Sequence, residues 1–277
     1  MDTVAGKTLP IRTSDTTLKE SSMASVLVTG GTGRLGARIV AHLAARGHSI
    51  RVLSRTRGSD TPRGVEGVIG DLASGEGLTS AVTGIDTVIH AASDSSDPMA
   101  TDVAGTRRLI VALGEGGGAP HLVYVSIVGV ERSRLPYYVA KRTVEREVES
   151  SGLAWSIVQA TQFHSFALFV LQSLTDDRGI LTVPEGTLLQ PVDADEVAER
   201  LVAVAVAQPL RRIVVFGGPE VLSLEHMARA CHDSQGFPAT VRVGMVDDPM
   251  LGAWQSRDQL TPEHAEGRLT WQQFLDR

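Results

Sequence analysis

Tyr137 and Lys141 stand four residues apart in Leu135-Pro-Tyr-Tyr-Val-Ala-Lys141, so a helix opened by Pro136 puts both on one face. An ammonium beside a phenol stabilises the phenolate, which makes a tyrosine a usable acid/base near neutral pH. Tyr138 lies about 100° round the same helix and reads as a packing residue. Ser126 ends the strand pattern His121–Val125 and offers a hydroxyl that can hold a substrate oxygen. Such a set suits proton transfer at a carbonyl or alcohol. A Tyr–Lys pair at helical spacing is common on protein surfaces, so its meaning depends on what precedes it.

What precedes it is Ser25-Val-Leu-Val-Thr-Gly-Gly-Thr-Gly-Arg-Leu-Gly36. The apolar run Val26–Val28 reads as a buried strand, and Leu35, Ile39, Val40 and Leu43 give the next segment a helical period. Gly30, Gly33 and Gly36 between them have dinucleotide-binding spacing: one for the tight turn, one for close approach to a pyrophosphate, one for helix–strand packing. Backbone N–H groups of the loop and helix start, around Thr32, Gly33 and Leu35, face the phosphates in such a site, and the Arg34 side chain inside the loop can join the basic residues at the end of the second strand. The second strand, Ser49–Leu53, ends in Ser54-Arg55-Thr56-Arg57 rather than in the acid that would bind a ribose 2′-hydroxyl. Guanidinium groups match a phosphate, so these residues favour NADP(H) over NAD(H), with Arg55 foremost.

Further strands are expected at 65–69, 86–90 and 121–125, alternating with helices at 75–83 and after Pro98. That alternation predicts an α/β, Rossmann-type doubly wound parallel sheet, whose ligands bind beyond the carboxyl ends of the strands. Asp71 and Leu72, then Ala91, Ala92 and Ser93, occupy such ends and are expected at the adenine and at the ribose or nicotinamide. Asp71 can also cap the following helix, and His90 reads as a packed strand residue.

The chain has 277 residues, and its formal charge of −6 argues against nucleic-acid or anionic-membrane partners. The single cysteine, Cys231, excludes an internal disulfide framework, fits a reducing cytoplasm and reads as a small buried hydrophobe. No apolar run approaches the ~20 residues of a membrane span, and no metal site is expected. Residues 1–22 are polar and read as a flexible leader, leaving 23–277 as one nucleotide-binding domain. A smaller substrate-side lobe is expected from 161–192 and 217–268. Phe163, Phe166, Leu168 and Phe169 suggest its apolar wall, and Gln162 and His164 follow a strand end where cofactor or substrate could be met.

The glycine turn, the Gly70-Asp71-Leu72 triplet, Ser126 and the Tyr137–Lys141 helix together resemble a short-chain dehydrogenase/reductase, in its atypical, NmrA-like, NAD(P)H-binding branch. The resemblance runs on through Thr161-Gln-Phe-His164, Gln190–Ala198 and the closing Leu269–Leu275, and so covers about residues 24–277. It implies a Rossmann fold, NADP(H) and a Ser126/Tyr137/Lys141 triad, in which Lys141 also binds the cofactor ribose. The expected activity is oxidoreduction of a small to medium apolar carbonyl, enone or quinone. A nucleotide-sensing regulator without turnover, or an isomerase or cyclase on the same fold, is the alternative. The chain departs from its relatives at Val158-Gln159-Ala160, where they carry Arg-Pro, and at Asp102, where extended relatives carry Asn. No proton-relay role is carried onto Asp102.

Overall fold

Val26 and Val28 pack into one apolar cluster and Leu27 into another, as alternation along a strand buried on both faces requires. The computed structural model describes residues 23–56, 62–235 and 240–277. The expected leader, 1–22, and Arg57 lie outside the described residues.

The strands are β1 (Ser25–Thr29), β2 (Ser49–Ser54), β3 (Glu66–Ile69), β4 (Thr87–His90), β5 (His121–Ile127) and β6 (Ala154–Ala160), followed by β7 (Ile180–Val183), β8 (Leu188–Leu189), β9 (Ile213–Phe216), β10 (Leu222–Ser223) and β11 (Thr240–Val243). Seven of them form one sheet in the order β3-β2-β1-β4-β5-β6-β9, with every pair parallel. This is the doubly wound order, with its crevice where the sequence reverses between β1 and β4.

Helices cover both faces. Helices α1 (Arg34–Ala45), α2 (Leu78–Val82), α3 (Gly105–Glu115), α4 (Pro136–Ser150), α5 (His164–Ser173) and α6 (Ala194–Val206) precede α7 (Leu224–Gln235), α8 (Pro249–Trp254) and α9 (Trp271–Leu275). Helices α1 and α6 close one face through Ile39, Val40, Leu43, Val197, Leu201 and Val202. On the other face α2, α3 and α4 bring Leu78, Leu109, Leu113, Val144 and Val148. Each such fully buried aliphatic side chain contributes about 1.5–3 kcal/mol. The helix expected after Pro98 begins instead as a π-helical stretch, Met99–Ala104, where the Val103 N–H reaches back five residues to the Pro98 carbonyl at 3.0 Å. Such wide turns recur at functional sites.

A third apolar cluster lies beneath the C-terminal segments, joining Leu171 of α5, Leu181 and Val183 of β7, Met227 and Cys231 of α7, and Trp254 and Trp271. Two small sheets frame it, β10 with β8 and β11 with β7. Cys231 is buried, and burial pushes its thiol up to about 11, as befits a packing residue.

Candidate active site

Gly30 sits at φ +70°, and a Cβ there would stand 2.7 Å from the Ala92 nitrogen. A Cβ on Gly36 would stand 2.0 Å from the Gly30 carbonyl oxygen, so helix and loop touch backbone to backbone. A Cβ on Gly33 would meet only the Gly30 oxygen, at 3.2 Å, which leaves its other side open. Gly33 is also the N-cap of α1 and provides no side-chain cap, so first-turn N–H groups are left for an anion.

These residues form one end of a cleft of about 480 Å³. The cleft gathers Gly30, Thr32, Gly33, Ser54, Arg55, Asp71, Leu72, Ala91, Ala92 and Ser93, all expected at the cofactor from the glycine spacing, the basic end of β2 or the strand-end positions. Arg55 faces it closely enough that its charge helps hold the half-buried Asp94 carboxyl below the usual range, after the larger effect of hydrogen bonds from Ser96. Asp71 caps a turn by accepting from the Ala73 N–H at 2.9 Å, ahead of an α2 that starts only at Leu78. Uncapped N–H groups at one end and a guanidinium at the other fit a phosphorylated dinucleotide. Arg34 and Leu35 begin α1 beside the cleft and do not line it.

Tyr137 meets this cleft through Ser93. Its hydroxyl lies 2.8 Å from Ser93 Oγ, and Ser93 in turn donates to Asp102 Oδ1 at 2.6 Å. Lys141 Nζ is 3.3 Å from the same carboxylate oxygen and 5.5 Å from the Tyr137 ring centroid. The other carboxylate oxygen accepts from the Asp94 N–H at 2.9 Å. Asp102 is 1% and Lys141 3% exposed, so the ion pair is buried. Burial disfavours the Lys141 charge, yet Tyr124, Tyr137 and Asp102 together outweigh it and hold the ammonium above its usual range. The expected pairing of Tyr137 with Lys141 on one face is present, but the residue bonded to the Tyr137 hydroxyl is Ser93. Ser126 Oγ is buried and has no hydrogen-bond partner among the described residues.

His90 braces this cluster. Its Nδ1 lies 2.6 Å from Thr29 Oγ1 and its Nε2 2.8 Å from Thr106 Oγ1, while Thr106 donates to the Asp102 carbonyl at 2.5 Å. Thr106 spends its proton on that carbonyl, so His90 carries its own on Nε2 and accepts at Nδ1. The imidazole is neutral: burial first, then the Lys141 charge, brings its pKa down to about 4. The Ala92 N–H donates to Thr29 Oγ1 at 3.3 Å, which ties the glycine turn, β4 and the Asp102 helix into one hydrogen-bonded chain.

The substrate-side expectations fall elsewhere. His164 is buried inside the third cluster, stacked on Phe274 at 5.0 Å and Trp271 at 5.8 Å, and does not line the cleft. Phe163 caps α5 and packs against the β1-side core. Phe166 and Phe169 are exposed, and Leu168 packs on the third cluster. Gln162 is buried beneath the C-terminal segments, where its amide donates to the Gln259 carbonyl at 3.5 Å.

Burial drives the His164 pKa to about 4. Unfolded, the imidazole takes its proton near pH 6.5. Its contribution is therefore complete above that pH and is lost as the pH falls towards 4, by about 2 kcal/mol at pH 5. His164→Phe, which keeps the stack, is expected to shrink the difference in unfolding free energy between pH 7 and pH 5 by about 2 kcal/mol in urea titrations. An unchanged difference would contradict this placement.

The deciding comparison is with a family profile described as NAD(P)H-binding, which matches residues 30–204. The chain belongs to this NAD(P)H-binding family. The resemblance to the atypical short-chain dehydrogenase/reductases is thereby upheld. A photosystem II assembly factor, Ycf39 of Trieres chinensis, is 26% identical over 78% of this chain and 71% of its own length. A divinyl chlorophyllide a 8-vinyl-reductase of Cucumis sativus is 24% identical over 76% of this chain, an alignment spanning 59% of the reductase. Among solved structures, the NADPH complex of an Escherichia coli NADPH-dependent quinone oxidoreductase superposes with a TM-score of 0.78. It shares 15% identity, over 90% of this chain and 98% of that one, a likeness of fold. Two contacts in this family member were not read from sequence: Ser93 as the partner of the Tyr137 hydroxyl, and Asp102 as the partner of Ser93 and Lys141. The signal available was an acid within the apolar run before Val103.

Proposed function

We propose that the chain is an NADP(H)-dependent oxidoreductase of a small to medium apolar carbonyl, enone or quinone, with Tyr137 as acid/base. The observation that carries this reading is the Tyr137 hydroxyl bonded to Ser93 on the cleft wall, with Lys141 one helical turn further on the same face. The reductase among the relatives and the quinone oxidoreductase among the structural neighbours support it. The relative named as an assembly factor makes a non-catalytic reading the alternative, which the intact Tyr137–Lys141 pair weighs against.

When bound, the dinucleotide supplies or takes up a hydride at its nicotinamide. Gly30, Thr32 and Gly33 with the start of α1 would hold its phosphates, Arg55 a 2′-phosphate, Asp71 and Leu72 the adenine, and Ala91, Ala92 and Ser93 the far ribose. Tyr137 gives a proton to the substrate oxygen or takes one from it. Ser126, a buried hydroxyl at the end of β5, is free to steady that oxygen. Lys141, ion-paired with Asp102, places its cation on the same helical face as Tyr137.

Arg55→Ala is expected to weaken NADPH binding by about 10–100-fold, the worth of a charged hydrogen bond, and to leave NADH binding nearly unchanged. Cofactor fluorescence titrations read both. Equal losses for the two cofactors would show that Arg55 does not choose between them.

A further inference from the structure

A second cavity, of about 270 Å³, lies between the loop that follows β5 and the segment from α8 to Gln259, with Tyr138 of α4 on its wall. Tyr137 and Tyr138 are consecutive, and their rings meet edge-on with centroids 6.5 Å apart. The cavity therefore begins one side chain away from the residue whose hydroxyl reaches Ser93 on the nucleotide cleft. Its volume is just below the ~300 Å³ at which drug-sized ligand sites begin, so it suits a single ring with short substituents. Its two sides are fixed to each other. Gly129 has φ +87°, and a Cβ there would stand 2.4 Å from the Asp258 carbonyl oxygen, so loop and segment touch backbone to backbone. Arg132 closes the same join, its Nε 2.6 Å from Asp258 Oδ1. Asp258 is the only carboxylate among the described residues of the wall, and Arg132 takes it. Arg134 also lines the cavity, and its guanidinium has no carboxylate partner among the described residues. The described wall thus carries an uncompensated cation in a chain whose formal charge is −6.

The rest of the wall is aromatic or small. Trp254 is buried and met edge-on by Phe166 at 6.3 Å, and its Nε1–H makes no hydrogen bond of normal length among the described residues. Gly252 and Ala253 add no bulk, and a Cβ on Gly252 would meet nothing within 4 Å. A guanidinium matches a carboxylate with two parallel hydrogen bonds, and the faces of Tyr138 and Trp254 suit a flat ring. We propose that this cavity is the substrate subsite and that Arg134 selects a carboxylate there, so that the substrate is a one-ring carbonyl or quinone bearing an acidic group. The ring lies against Tyr138 and Trp254, with its carboxylate at Arg134 and its reducible oxygen towards Tyr137. The substrate role rests on the reading of Tyr137 as the acid/base, whereas the binding of an aromatic carboxylate does not.

The test is calorimetric titration of the full chain with benzoate and with benzamide, which share a ring and differ in charge. NADP+ is present in excess, so that Arg55 in the nucleotide cleft is not the anion's partner. Benzoate is expected to bind at least about threefold more tightly than benzamide, within the range of an exposed but bidentate ion pair. Arg134→Gln, an exposed substitution, should erase that preference. Gly252→Leu grows a side chain into open space on the cavity wall and should abolish binding of either molecule. In turnover, benzoate should compete with the carbonyl substrate and not with NADPH. Failure of benzoate to bind, equal affinities, a preference that survives Arg134→Gln, binding that survives Gly252→Leu, or competition with NADPH would each overturn the proposal. Because the titrations need no turnover, they can fail while Tyr137 proves catalytic. Conversely, unchanged turnover in Tyr137→Phe would remove the parent reading and leave the carboxylate site standing.

Discussion

Tyr137→Phe is expected to lower turnover of a carbonyl substrate by about 10²–10⁴-fold, the usual worth of a positioned acid/base. NADPH affinity should stay close to that of the unaltered chain. The substitution deletes one hydroxyl and keeps the ring, including its edge-on contact with Tyr138 at 6.5 Å between centroids. Tyr137 does not line the nucleotide cleft, whose wall contributes Ser93, and Ser93 keeps its own bond to Asp102. The loss should therefore appear in kcat, with the cofactor dissociation constant unmoved. Steady-state rates and a cofactor titration on the same preparation separate the two, and turnover equal to that of the unaltered chain would remove Tyr137 from the chemistry.

Lys141→Met should have the largest effect on stability. The cation faces a carboxylate that is 1% exposed, and its removal leaves that carboxylate buried with only Ser93 and the Asp94 N–H as partners. Removing one member of a buried pair typically costs about 3–5 kcal/mol, because the other charge is stranded out of water. The double variant Lys141→Met with Asp102→Asn strands no charge and should recover most of that loss. Urea unfolding of the two variants reads the difference. A single variant as stable as the unaltered chain would show that Asp102 does not depend on Lys141 for its charge.

The parts of the fold that were legible are those where geometry admits few residue types. Gly30 needs a positive φ and Gly36 a backbone contact, so glycines at those positions announced the turn before any strand was paired. Alternation of Val26, Leu27 and Val28 between two clusters, and the four-residue step from Tyr137 to Lys141, follow from the periods of strand and helix. The strand ends lining the cleft were legible for a related reason: in a parallel sheet they all face one way.

What stayed hidden depends on distance along the chain. Ser93 and Tyr137 are 44 residues apart, and no local spacing predicts their bond. Asp102 sits in a π-helical stretch that packs beside α4, and it therefore meets Lys141, which was expected at a cofactor ribose. His164 follows a strand end, as a ligand might, but its ring is enclosed by Trp271 and Phe274, which arrive only with α9. Its neighbours Phe163 and Phe166 were the available sign of an apolar setting.

The most direct test of the account is the absorbance of NADPH mixed with the protein and a panel of quinones, enones and ketones, with NADH run in parallel. At least one panel member is expected to drive NADPH consumption, at least about tenfold more efficiently than NADH, as a charged contact from Arg55 implies. Tyr137→Phe is expected to slow this consumption by about 10²–10⁴-fold. No consumption of either cofactor with any panel member, or a Tyr137→Phe trace matching that of the unaltered chain, would contradict it.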